Sequence, residues 1–155
     1  MAEDLKEWTD KTLPKIEVSI EDINLYMSYE YSSYEIMSIE ELSSILLKLK
    51  RYTIELKIKY NKEKSKSRWL YSTINKVAKP ECCQYESYDK DERLYSVIKG
   101  SDVLKKYMDM KIESDAKADL LDGVEKEINN MIYIIKNIQE YKIAKKGFEK
   151  QGDYK

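Results

Sequence analysis

Apolar side chains recur along two stretches of this chain with the period of an amphipathic helix. Ile39, Leu42, Leu46, Leu49, Thr53, Leu56 and Tyr60 alternate spacings of three and four, which places them on one helical face. Ser38 followed by Glu41 opens the stretch with a capping-box pattern. Leu121, Val124, Ile128, Met131, Ile135 and Ile138 repeat the alternation nearer the C-terminus, and Ile132, Ile134 and Ile143 widen that apolar surface beyond a two-helix seam. From Tyr52 to Tyr60 the letters YTIELKIKY also alternate apolar and polar, a strand pattern. Helix is the favoured reading, because the three-four spacing begins upstream of this window.

The remaining segments read as shorter pieces. Leu5 and Trp8 suggest a leading amphipathic element broken at Pro14, followed by a short helix capped by Ser19. The serine- and tyrosine-rich tract from Tyr26 to Met37 has no dominant period and reads as irregular. Residues 65 to 80, around Trp69, Leu70, Thr73, Ile74 and Val77, predict a separate helix stopped by Pro80. Residues 81 to 91 read as a loop, and Leu94, Val97 and Ile98 resume helix as far as Gly100. Ser101 caps a further helix through Val103, Leu104, Tyr107 and Met108. Gly147, behind Lys145 and Lys146, reads as a C-cap, and Gly123 suggests close packing, since glycine costs about 1 kcal/mol relative to alanine inside a helix.

Composition supports this all-helical picture. Glycine and proline together are 6 of 155 residues, about a third of the usual share of roughly 12%, so turn-rich β architectures lack the residues they need. The expected fold is all-α: one small helical domain over 1–155, with an acidic segment at 1–37, a basic helical region at 38–80 and a C-terminal helical region at 92–147. Charged residues make up 37% of the chain and mean hydropathy is −0.69, which leaves a thin apolar supply. The C-terminal stripe Leu121, Val124, Ile128, Met131, Ile135 and Ile138 is therefore expected to pack against another subunit as well as its own chain.

Several chemistries are excluded or unsupported. The chain has no histidine, so imidazole bases, Ser-His and Cys-His pairs and mixed Cys/His zinc sites are absent. Cys82 and Cys83 are adjacent, a spacing that forms no relaxed disulfide and supplies half of a four-thiolate set. No carboxylate pair is placed by spacing into an acid-base constellation, and no glycine-rich phosphate loop is present. A non-enzyme without cofactor or metal is expected. No window approaches 18 uninterrupted apolar residues and the acidic start lacks a signal-peptide pattern, so the expectation is a cytoplasmic protein without a membrane partner.

The formal charge of −1 conceals a segregation. Residues 1 to 45 carry 3 basic and 11 acidic side chains, whereas residues 46 to 80 carry 11 basic and 2 acidic ones. Local potential attracts a polyanion. Single-strand binders combine a cationic track with aromatic faces for base stacking, and this block interleaves Lys57, Lys59, Lys62, Lys64, Lys66 and Arg68 with Tyr52, Tyr60, Trp69 and Tyr71. Lys57, Lys59, Tyr60, Lys62, Lys64, Lys66, Arg68 and Trp69 are the candidate DNA-binding residues. Lysine predominance favours point-charge phosphate contacts over bidentate base readout, hence binding without sequence preference. The chain's 25 lysines against 3 arginines, with 17 isoleucines and 14 tyrosines, also match what AT-rich coding yields unselected. A helical scaffold or phage particle component with solvated lysines is the alternative.

Three stretches carry a resemblance to a family. EDLKEW (3–8) looks like the short leading segment of the phage recombination mediators of the UvsY type. ELKIKY (55–60) is similar to that family's motif of two cations one residue apart followed by an aromatic. DVLKKYMD (102–109), leading to the terminal KKGFEKQG (145–152), looks like its C-terminal half. The sequence departs from the family after Tyr60, where NKEKSKSRW stands. The resemblance implies a phage-encoded protein of the host cytoplasm, active in DNA recombination and repair, that forms a ring-like homo-oligomer through C-terminal helices. It implies binding of single-stranded DNA, with Lys57 and Lys59 as contacting cations, and recombinase and single-strand-binding protein as partners.

Overall fold

The computed structural model describes residues 19–84 and 89–152, with side chains through Phe148. The expectations for Leu5, Trp8 and Pro14 lie outside these residues. The fold is all-α, and no strand occurs among the described residues. The helices are α1 (Ile20–Ser28), α2 (Tyr31–Ile36), α3 (Ile39–Cys82), α4 (Lys90–Gly100) and α5 (Asp102–Gly152).

Two compact units divide the chain: one runs to Tyr52 and resumes at Met131, and the other spans Thr53–Asn130. In the first, α1 begins at Ser19, whose Oγ accepts from the Glu21 amide at 3.2 Å. The tract 26–37 is not irregular: α2 forms within it, and its Tyr34 is 1% exposed with its hydroxyl donating to the Tyr26 carbonyl. Tyr29 packs edge-on against Tyr34 at 5.8 Å between ring centroids. Aromatic contacts and one side-chain hydrogen bond thus organise a segment with no helical period of its own. The Ser38–Glu41 capping box is complete: the Ser38 amide donates to Glu41 Oε2 at 2.7 Å and the Glu41 amide to Ser38 Oγ at 3.1 Å. Leu42, Leu46 and Leu49 turn inward as their spacing predicts, with Ile23, Ile45, Ile135 and Ile138 also buried. Gln139 donates to the Ile39 carbonyl and Ser43 Oγ, and Lys142 to the Met37 carbonyl, which ties the last part of α5 to the start of α3.

In the second unit Ile74, Ala78, Val97, Ile98 and Leu104 form a buried cluster, with Cys82, Leu94, Tyr107 and Met108 packed against it. Asp89 caps α4, and Ser101 caps α5 by accepting from the Leu104 amide at 3.4 Å. Cys82 and Cys83 are free thiols, partly buried and exposed respectively. Leu56, Leu70, Ala118 and Ile128 are also buried.

Residues 52–60 are helical, as favoured from the spacing. Three sequence expectations are corrected. The piece expected over 65–80 is the continuation of α3, which passes through Pro80 to Cys82. Within the last turn the missing proline N–H removes only one closing hydrogen bond. Gly147 is no C-cap, because α5 continues to Gly152 and no described glycine has positive φ. A Cβ on Gly123 would meet nothing within 4 Å, so close packing does not explain that glycine. No helix among the described residues is long and apolar enough to cross a membrane.

Candidate nucleic-acid interface

The cationic residues of α3 in the second unit divide between two flanks of one helix. Leu56, Ser67, Leu70 and Ile74 face inward, which turns positions 59, 62, 66 and 69 to one side and 57, 64 and 68 to the other. On the first flank Lys59, Lys62 and Lys66 are exposed and form no ion pair among the described residues. Trp69, 61% exposed, continues their three-four-three spacing. Three ammonium groups and an open indole therefore line about 15 Å of helix at 1.5 Å per residue.

The opposite flank is already occupied. Lys57 Nζ lies 3.5 Å from Glu125 Oε2, and Lys64 Nζ lies 3.9 Å from Asp115 Oδ1 and 3.7 Å from Asp119 Oδ1. The same ammonium groups sit 5.1 Å and 5.9 Å from the centroid of the Tyr60 ring. Tyr60 is half-buried and receives cations from its own helix, so it is not an open stacking face. Arg68 extends this flank, exposed and without an ion pair among the described residues. Tyr52 is half-buried; Tyr71 is half-exposed, with Lys111 Nζ 5.8 Å from its ring centroid.

Of these acidic partners Asp115 has a tighter pair of its own on α5, and the neighbouring Glu113 and Asp122 are paired in the same way. Asp115 takes Lys111 at 2.7 Å, Glu113 takes Lys117 at 2.6 Å and Asp122 takes Lys126 at 2.6 Å. Hydrogen bonds from Lys111 and Ser67 hold the Asp115 carboxyl below its ordinary range. The Lys126 hydrogen bond does the same for Asp122, with smaller contributions from the charges of Lys57 and Lys64. Asp115, Asp119, Asp122 and Glu125, spaced four, three and three apart, were visible in the sequence as a run of carboxylates. That they would meet Lys57 and Lys64 was not.

Half of the expected oligomer seam is buried inside the chain. Ile128, Ile135 and Ile138 are 1%, 0% and 5% exposed within the chain itself, so they form its interior and present no outer surface. Leu121 and Met131 are half-buried, and only Val124 of the six is exposed. A different row on α5 faces outward in the first unit: Ile134, Asn137, Tyr141, Ala144 and Phe148, again spaced three and four, with Tyr141 71% and Phe148 76% exposed. Among the described residues no group of three or more Cys, Asp or Glu is placed to hold a metal ion.

No protein-family model, curated protein or solved structure matches this chain.

Proposed function

We propose that this protein binds single-stranded DNA without sequence preference and acts as a recombination mediator of the UvsY type, loading a recombinase on strands coated with single-strand-binding protein. The observation that carries the DNA-binding part is the flank of Lys59, Lys62, Lys66 and Trp69: a cationic row without an ion pair among the described residues that ends in an exposed aromatic face, the two elements a sequence-tolerant strand site combines. The mediator role rests on the resemblance of ELKIKY, DVLKKYMD and KKGFEKQG to that family.

Self-association multiplies weak strand contacts by effective concentration. We assign it to the outer row Ile134, Asn137, Tyr141, Ala144 and Phe148, with a second copy of the chain as occupant. Asn137 sits within that row, where a lone polar residue fixes register, and Glu140 and Lys145, five positions apart on its two shoulders, are complementary in a parallel pair of helices. Glu140 pairs only loosely with Lys136, at 3.6 Å.

Fluorescence anisotropy of a labelled oligothymidylate, with a duplex control, tests the site. The expected result is preference for the single strand with a log-log salt slope near −2, about −0.7 for each of three phosphates. Lys59→Ala, Lys62→Ala and Lys66→Ala together remove the binding and flatten that slope; an unaltered triple variant sinks the assignment. A helical assembly protein without DNA binding is the second reading, favoured by the internal neutralisation of Lys57 and Lys64. Flat titrations of the native chain select it.

A further inference from the structure

We propose that Asp119 and Glu125, with Asp115 beside them, act as built-in phosphate surrogates that hold Lys57 and Lys64 until a nucleic-acid strand displaces them. The inference rests on the strand-binding reading above and adds a second, masked half to the site. Its basis is the contrast between two kinds of ion pair on the same helix. Between Lys111 and Lys126 the pairs within α5 close at 2.6 to 2.7 Å, with Lys105–Asp102 and Lys136–Glu140 outside that stretch at 3.3 and 3.6 Å, whereas the pairs that reach α3 stand at 3.5 to 3.9 Å, beyond good charge-assisted hydrogen-bond length. The Lys57 and Asp119 side chains are 52% and 77% exposed, while those of Lys64, Asp115 and Glu125 are 31%, 33% and 18% exposed. Contacts so long and partly open to water contribute little to stability, and an arriving phosphate exchanges for them at small cost.

The arrangement around Tyr60 supports exchange. With Lys57 and Lys64 both over its ring, the two ammonium groups stay together on one flank when their carboxylates leave, and Arg68 continues the row one turn on. Lys59, Lys62 and Lys66 make the first contact, since none of them is in an ion pair among the described residues and the charge of Lys66 reaches Glu113 only at longer range. Lys57 and Lys64 add phosphates only against competition from α5. Affinity is therefore set as much by the acids of α5 as by the lysines of α3.

Asp119→Asn with Glu125→Gln removes the surrogates without touching the Lys111–Asp115 pair. The expected result with labelled oligothymidylate at low salt is tightening of about three- to ten-fold and a salt slope steeper by about 0.7 for each phosphate gained. Asp109→Asn with Glu127→Gln is the charge-matched control, and circular dichroism checks helicity in both variants. A gain no larger than the control's overturns the proposal, as does a gain that persists when Lys57→Ala and Lys64→Ala are added. If the native chain binds and the variant binds no tighter, the inference alone fails. If neither binds, the strand-binding reading fails with it.

Discussion

Tyr34 illustrates how one side chain converts an aperiodic tract into structure. Burial pushes its hydroxyl up to about 12, with the Tyr29 and Tyr26 rings adding to the effect, and that hydroxyl closes on the Tyr26 carbonyl near the end of α1. Tyr34→Phe leaves that carbonyl with the Tyr29 amide, at 3.3 Å, as its remaining donor, and is expected to cost about 1 kcal/mol in denaturant unfolding. Because the folded value lies above the ordinary 10.0, the contribution is intact below pH 10 and fades as pH rises through about 12. The glycines argue the opposite case. Neither Gly123 nor Gly147 has a neighbour that a methyl group would strike, and both lie inside α5. Alanine at either is expected to raise stability by roughly 0.5–1 kcal/mol, read as a higher thermal midpoint.

At the scale of elements, the two long helices explain which parts of the sequence could be read. Capping at Ser38 and Ser101 was legible because a cap is local: a hydroxyl and an amide three residues apart. The inward stripe Leu42, Leu46, Leu49 and Leu56 was legible because a helix must hide one face. The alternation over 52–60 imitated a strand because α3 carries apolar residues outward as well: Ile54 and Ile58 are exposed and interleave with the buried Leu56. Pro80 and Gly147 were misread because breaker residues register intrinsic preference, and position in a last turn or inside a long packed helix overrides it. The stripe from Leu121 to Ile138 gave the face of α5 and its packing on the chain's own core at Ile128, Ile135 and Ile138; periodicity reports that a face is apolar and not whether a second chain also covers it. Two variants separate the two surfaces. Ile135→Ala is expected to destabilise the fold by about 2–5 kcal/mol at any protein concentration. Tyr141→Glu with Phe148→Glu is expected to leave helicity intact and lower the particle mass by light scattering; an unchanged mass counts against the outer row.

For the whole molecule, charge placement sets the response to pH and salt. The chain lacks histidine, so no imidazole titrates between about pH 5 and 8 and the thermal midpoint is expected to be flat there. The carboxyls of Glu113, Asp115 and Asp122 lie below their ordinary range, each chiefly through a lysine hydrogen bond. Their contribution is present above about pH 4 and is lost as pH falls through the depressed values. These pairs are partly or largely open to solvent and contribute little each, so the thermal midpoint should fall only modestly below about pH 4, and a transition centred near neutrality would contradict it. The pairing of Lys57 with Glu125, 68 residues away in sequence, was beyond any local reading, because it depends on which faces of two helices meet.

The polar middle of the Thr53–Asn130 unit has a dynamic consequence. Between the buried Leu56 and Leu70, α3 turns Tyr60, Glu63 and Ser67 toward the interior, and between Met108 and Ile128 α5 offers Lys111, Ser114, Ala118 and a half-buried Leu121. Ser114 Oγ and Glu63 Oε2 are buried there without hydrogen-bond partners among the described residues. Little greasy surface holds these turns closed, so deuterium should enter the backbone amides near Ser67 and Ser114 sooner than those near Ile74 and Ile128, a bubble opening mid-helix before the ends of the stack let go.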